Sequence, residues 1–266
     1  MNEPASIEGP LAGGVFARRG FQRRFFDENC DPEFEIMRPH GCGRLYEFMI
    51  ENKFRTGLAV LGLDISGMSV LEVCCGSGMM AEKFARAGAR VTGADFSSAA
   101  VARARERGQR YHFDATFLVA DAENLVFADH SFDIVAVHDG LHHLDNPERA
   151  VREMARVARG GVLILDPARA ALTRLAVRLG ISVDVEEAGN EVKRLMPREV
   201  AEILREEGYR HVLWQRSLMY YPHRPPRYFR WFDGASAFAA FRTTFWCTNL
   251  VCARWGNKLA LAARHD

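Results

Sequence analysis

From Ser69 onward, short apolar runs alternate with stretches whose apolar residues recur at helical spacing, the pattern of a mostly parallel sheet wrapped by helices. Ser69 to Cys74 is an apolar run with β-branched residues, closed by the turn Cys75-Gly76-Ser77-Gly78. A helix from about Met79 to Ala87, stopped by Gly88, precedes a second strand over Arg90 to Ala94. Ser97 is placed to cap a helix that shows Val101 and Ala104 on one face and ends at Gly108. Thr116 to Ala120 and Phe132 to Val137 read as strands three and four. Asn146 as cap and Pro147 at the first helical position open a helix with Ala150, Val151, Met154, Val157 and Ala158 inward, which Gly160-Gly161 should end. Val162 to Leu165, continuously apolar, is a fifth strand buried on both faces.

The alternation then breaks twice. Residues 167–195 precede a helix from Pro197 to Glu207 and a strand near His211 to Leu218, and residues 221–256 precede a last strand from Lys258 to Ala262. Both interruptions are too long for simple connections. Residues 1–68, with a helix from Leu45 to Leu61, form a third addition. The expected layout is an N-terminal helical arm or cap over 1–68 and an α/β domain over 69–266, with 167–195 and 221–256 as a lid. All three additions are expected over the carboxyl ends of the strands, where open α/β sheets bind ligands.

Composition narrows the classes. With 266 residues and 48% hydrophobic content the chain can bury a large core, which excludes disordered, collagen-like and disulfide-scaffold classes. The longest uncharged apolar run in the C-terminal third, Thr243 to Ala253, falls short of the roughly 18 to 20 residues a membrane-spanning helix needs. Thirty-five basic residues against 34 acidic leave a net charge of +1, so no global pull toward nucleic acid or anionic lipid exists. Locally the balance differs: from Arg210 to Gly256 seven arginines face one acid, Asp233, for a charge of +6. The six cysteines lack the paired spacing of zinc sites and read as reduced intracellular thiols. No apolar export segment follows Arg18-Arg19, so a cytoplasmic protein is expected, with Phe21, Phe25 and Phe26 docked on its body.

Strand, glycine turn, helix and then an acid at the end of the next strand is how such a sheet holds an adenosine-bearing cofactor, and Asp95 is placed to accept from ribose hydroxyls. The turn lacks the GxGxxG that a pyrophosphate requires. Glu72 beside it would repel phosphate but suits a ligand carrying an ammonium and a sulfonium.

Val70-Leu71-Glu72-Val73-Cys74-Cys75-Gly76-Ser77-Gly78 resembles motif I of the class I S-adenosylmethionine-dependent methyltransferases. In register behind it, Gly93-Ala94-Asp95-Phe96-Ser97, Val119-Ala120-Asp121-Ala122-Glu123, Phe132-Asp133-Ile134-Val135 with His142-His143-Leu144, and Arg156 to Leu163 resemble the family's later segments. The resemblance implies a Rossmann-like seven-stranded sheet, mostly parallel with the last strand antiparallel and helices on both faces. It implies S-adenosyl-L-methionine as cofactor and S-adenosyl-L-homocysteine as product. It also implies residue roles: Gly76 and Gly78 pass backbone close to the cofactor, Asp95 holds the ribose, Phe96 packs near the adenine, Asp121 and Ala122 receive its amino edge, and His138 lines the methionyl end. The family's first glycine falls at Cys74, where a cysteine fits if its backbone torsions are ordinary.

His142 and His143 are the candidate general bases, although alignment of nucleophile, methyl carbon and sulfur can carry most of the acceleration without one. Adjacent histidines do not share a face of a helix or strand, so no metal is expected. The segment from Tyr220 to Phe232 interleaves arginine with aromatics. Three readings stay open for it: a lid in which Tyr228 and Trp231 enclose a partly apolar small molecule while Arg227 and Arg230 meet its anionic group, an interfacial helix with Trp231, Trp246 and Trp255 at a lipid boundary, or a surface for RNA bases. The expected function is transfer of the methyl to an oxygen, nitrogen or carbon of a small-molecule acceptor. RNA or lipid acceptors and a non-catalytic cofactor-binding relative are the alternatives.

Overall fold

A computed structural model of the chain describes residues 30–170, 195–220 and 222–265, with Arg24, Asp27 and Glu28. The expected docking of Phe21, Phe25 and Phe26 and almost all of the first insertion lie outside the described residues. Helices α1 (Pro32–Met37) and α2 (Arg44–Leu61) lead into β1 (Ser69–Val73), α3 (Met79–Arg86), β2 (Arg90–Asp95), α4 (Ser98–Tyr111), β3 (Ala115–Val119), β4 (Phe132–His138), α5 (Pro147–Val157) and β5 (Ala158–Pro167). Then come α6 (Pro197–Glu206), β6 (His211–Ser217), α7 (Ala235–Cys252) and β7 (Lys258–Arg264). The seven strands form one sheet in the order β3-β2-β1-β4-β5-β7-β6. Only β7 runs against the others, pairing antiparallel with both β5 and β6. This is the expected Rossmann-like sheet, reversing its winding between β1 and β4.

Two apolar layers hold it. One joins α2, α3 and α4 to the sheet through Met49, Ile50, Phe54, Met80, Phe84 and Val101. The other joins α5 and α6 through Val151, Met154, Val200 and Leu204. The amphipathic spacing of these side chains, not helix propensity alone, fixes each helix on its face.

Three local expectations are corrected. Helix α4 runs through Gly108 to Tyr111 and stops at His112, whose left-handed φ of 50° makes the turn. An interior glycine costs only about 1 kcal/mol, and partners of the last turn offset it: Arg107 lies over the Tyr111 ring and Arg110 grips Glu33. Gly160 and Gly161 do not end α5; they lie inside β5. A Cβ on Gly160 would stand 2.9 Å from the Asp133 carbonyl and one on Gly161 3.2 Å from that of Ala263, so close backbone approach is what demands them. The third concerns the course of α2, which meets the strand carboxyl ends through Lys53 and Asp139 and from there runs down the sheet face. Its Gly57 abuts Leu165 of β5 and its C-cap carbonyl at Gly62 accepts from Arg264 of β7.

Candidate active site at the carboxyl ends of the strands

Val73 ends β1 beside Ala94 of β2 and Val137 of β4, so the segments that follow these strands converge on one edge. Cys74 and Gly76 lead the turn with φ of 53° and 52°. Cys74 therefore occupies the left-handed region, contrary to the ordinary torsions expected of it, at a strain on the order of 1 kcal/mol. Room for its side chain comes from Gly140, where an added Cβ would stand 2.5 Å from the Cys74 Cβ. An added Cβ at Gly76 meets nothing within 4 Å, so the turn faces open space there. Gly78 differs: its Cβ would press on Ala104 and Phe117, so this glycine seats the start of α3 against α4 and β3.

Asp95 ends β2 buried, one carboxylate oxygen accepting from the Gly76 N–H at 2.9 Å and the other from the Ser97 N–H at 2.9 Å. Each oxygen keeps a further lone pair. Burial raises its pKa and the two N–H groups oppose the rise. Glu72 is buried, and among the described residues its Oε2 has no hydrogen-bond partner. Burial pushes its carboxyl well up. The Cys74 thiol is likewise driven far above its usual range, first by burial and then by the fields of Asp95, Asp166, Asp121 and Glu72. Asp95, Asp166, Asp121 and Glu72 thus surround this sulfur with acceptor oxygens.

Asp121 and the buried Ala122 follow β3, one step from Asp95, whose carbonyl accepts from the Ala120 N–H. The Asp121 carboxylate accepts from the Glu123 N–H at 2.9 Å and so shapes its own turn. Phe96 is half-buried in the turn before α4.

On the β4 side, the His138 ring is buried with Asp139 Oδ2 at 3.5 Å from its Nε2, and burial together with Lys53 outweighs that carboxylate and holds the ring well below the usual histidine range. His142 and His143 form a 3₁₀ turn with ring centroids 4.0 Å apart. Asp166 at the end of β5, fully buried, accepts from His142 Nδ1 at 2.8 Å and from the N–H groups of Gly140 and Leu141. Against a carboxylate acceptor Nδ1 is the donor, which orients the ring with Nε2 on the far side from Asp166. The His143 ring packs beside that of His142, and it lies within the electrostatic reach of Asp95.

Sequence reasoning missed Asp166 as well as a buried ion cluster. Lys53 of α2 donates to Asp139 at 2.6 Å, with Lys258 of β7 at 3.4 Å from the same oxygen. Burial pulls Lys53 down to about 8 against the pull of Asp139. Burial would raise Asp139, but Lys258 and Lys53 outweigh it and hold the carboxyl well below the usual range. Lys53 shares a helical face with Met49, Ile50 and Gly57, and a charge in that apolar stripe was the available signal. For Asp166 the signal was its place directly behind the buried run Val162 to Leu165.

Helix α1 roofs the turn. Ser77 Oγ donates to the Glu35 carbonyl at 2.8 Å, and Glu35 in turn holds His223 Nε2 at 2.5 Å and Arg38 at 3.3 Å. Tyr46 donates to the His223 carbonyl, which ties the start of the second insertion to α2. Arg227, Tyr228, Arg230 and Trp231 are all exposed, and among the described residues no hydrogen bond or ion pair joins their side chains to the turn or to His142. Among the described residues no group of three or more His, Cys, Asp or Glu is placed to hold a metal ion. No described helix is long and apolar enough to cross a membrane.

A doubly wound sheet with an open glycine turn after β1, an acid closing β2 and a carboxylate-lined edge defines the Rossmann-like class that binds an adenosine-bearing ligand at its switch point. Residues 71–165 match the family model described as a methyltransferase domain, which supports a class I S-adenosylmethionine-dependent methyltransferase. A demethylmenaquinone methyltransferase of Renibacterium salmoninarum is 38% identical over 102 residues, covering 38% of this chain and 41% of that protein. A ubiquinone biosynthesis O-methyltransferase of Xanthomonas oryzae pv. oryzae is 33% identical over 150 residues, covering 55% and 59%. The chain thus spans about half the length of these curated relatives. In structure, the magnesium protoporphyrin IX methyltransferase of Synechocystis PCC 6803 with bound SAH matches with a TM-score of 0.63 at 17% identity, over 93% of this chain and 100% of that one, a likeness of fold.

Proposed function

We propose that this protein transfers the methyl group of S-adenosyl-L-methionine to an oxygen, nitrogen or carbon of a partly apolar or aromatic small molecule that carries an anionic group. The observation that carries the reading is the open cradle before Gly76, with Asp95 on one side and below it the buried Glu72 Oε2, without a hydrogen-bond partner among the described residues. A ligand with ribose hydroxyls and cationic groups fits that donor and acceptor set, and a nucleotide phosphate does not. Asp95 would hold the ribose, Asp121 and Ala122 the adenine edge with Phe96 packed near it, and Glu72, Cys74 and His138 the methionyl end. The bound cofactor supplies an electrophilic methyl group for direct displacement.

The chain's own residues do the rest. The strand ends hold both ligands in line, where effective molarity contributes most of the rate. Asp166 orients His142 with Nε2 on its far side, and there His142 takes the proton where the acceptor must lose one. Tyr228, Trp231, Arg227 and Arg230 meet the acceptor when residues 221–256 close over the strand ends as a lid, with α1 as the second wall. The identity to quinone-biosynthesis methyltransferases supports a small, partly apolar acceptor.

Calorimetric titration with S-adenosyl-L-methionine, S-adenosyl-L-homocysteine and NAD tests the reading. Micromolar binding of the first two without the third is the expected result, and absence of binding overturns it. Asp95→Ala should weaken binding by about 1.5 to 3 kcal/mol, the loss of charge-assisted hydrogen bonds. Unchanged affinity in that variant removes Asp95 from the site.

A further inference from the structure

Helix α7 is out of keeping with the rest of the molecule, because Phe245 is its single fully buried residue in eighteen. Its inner face does pack: Phe238, Phe241 and Phe245 meet the Phe48 ring of α2 edge-on at 5.4 to 6.2 Å. On the outer face Leu250 is 88% exposed, Val251 68% and Trp246 52%, and Trp255 stands exposed one turn beyond. No acid interrupts this surface. Arg242 and Arg254 flank it, exposed and without an ion pair among the described residues, their guanidinium groups lying over Phe48 and Trp255. The one acid of the segment, Asp233, is turned to the Arg44 N–H at 2.9 Å.

We propose that the outer face of α7 docks on the anionic surface of a phospholipid membrane. Three features select this occupant. The apolar side chains protrude from a convex helix, so they suit a soft medium into which they can sink. Tryptophan beside arginine is the pairing that an interface between headgroup and acyl chain favours. A second copy is disfavoured by charge, since a twofold contact would set arginine against arginine with no acid between them. At about 1.5 Å per residue the helix lies some 27 Å along the surface. It leads directly into β7, whose first residue Lys258 stands beside Asp139, so docking brings the strand ends to the membrane. This surface does not depend on methyl transfer.

Co-sedimentation with phosphatidylcholine vesicles, with and without phosphatidylglycerol, is the test. The full chain should pellet with the anionic vesicles, be released by raised salt, and show a blue-shifted tryptophan emission when bound. Trp246→Ser combined with Leu250→Ser should lower the bound fraction about tenfold or more, while the melting temperature and S-adenosyl-L-methionine affinity stay at wild-type values. Failure to pellet with anionic vesicles overturns the proposal. A dimer in sedimentation equilibrium that the double substitution dissolves also overturns it, by assigning the face to a second copy. Cofactor binding without vesicle binding refutes this inference and leaves the methyltransferase reading intact.

Discussion

Cys74 and Gly140 are a coupled pair. The cysteine holds a left-handed backbone, and its Cβ fills the space that any side chain at position 140 would need. Gly140→Ala, with its Cβ 2.5 Å from that of Cys74 and 3.1 Å from Val137, should cost about 1 to 3 kcal/mol by overpacking. Cys74→Gly removes one side of the clash and the left-handed strain together, so it should recover a large part of the loss. Urea unfolding of both single variants and the double variant gives the interaction energy, and strict additivity would refute the coupling. The sequence marked Cys74 as the place where the family's pattern changes, but its torsion was not legible there. A torsion is set by what surrounds the residue, and the absent side chain at 140 is what makes it tolerable.

Among the elements, α2 shows how packing reverses a propensity. Glycine to alanine within a helix ordinarily gains up to about 1 kcal/mol. At Gly57 the new Cβ would stand 2.8 Å from the buried Leu165 side chain, so the helix would have to lift off β5. Gly57→Ala should therefore destabilise by about 1 kcal/mol net, read as a lower urea midpoint with unchanged slope. A gain in stability would mean that Leu165 yields freely. The alternation of apolar runs made nearly every strand and helix legible, because burial on a sheet face imposes a period. Glycine was the weak signal. Gly108, Gly160 and Gly161 look like stops in the sequence, yet one is carried inside a helix and two serve close backbone approach within β5. The place of α2 was equally hidden, since an apolar stripe says that a helix is covered but not by which part of the sheet.

At the scale of the molecule, the acid side of stability rests in part on Glu35. Burial alone would raise its carboxyl, but Arg38 and the hydrogen bond from His223 bring it from 4.5 down to about 2. The unfolded chain then binds the extra proton between those values, so this contribution is complete above about pH 4.5 and is lost as the pH falls toward 2. Its size is at most about 3 kcal/mol. Glu35→Gln should flatten the fall in melting temperature between pH 5 and 3 relative to wild type, and parallel curves would refute the assignment. The candidate site was legible where it lies in one segment, as in Glu72 through Gly78 and at Asp95. It was not legible where residues far apart in sequence meet, as in Lys53 with Asp139 and Lys258, or His142 with Asp166. The grip of Glu35 on Ser77 at one end and His223 at the other joins the roof of the glycine turn to the segment proposed to close on the acceptor. On the proposed function, this link makes the cofactor settle beneath α1 before the acceptor side shuts. Steady-state kinetics should accordingly show a compulsory order, with S-adenosyl-L-homocysteine competing against the cofactor but not against the acceptor, and a random-order pattern would mean that the two sides close independently.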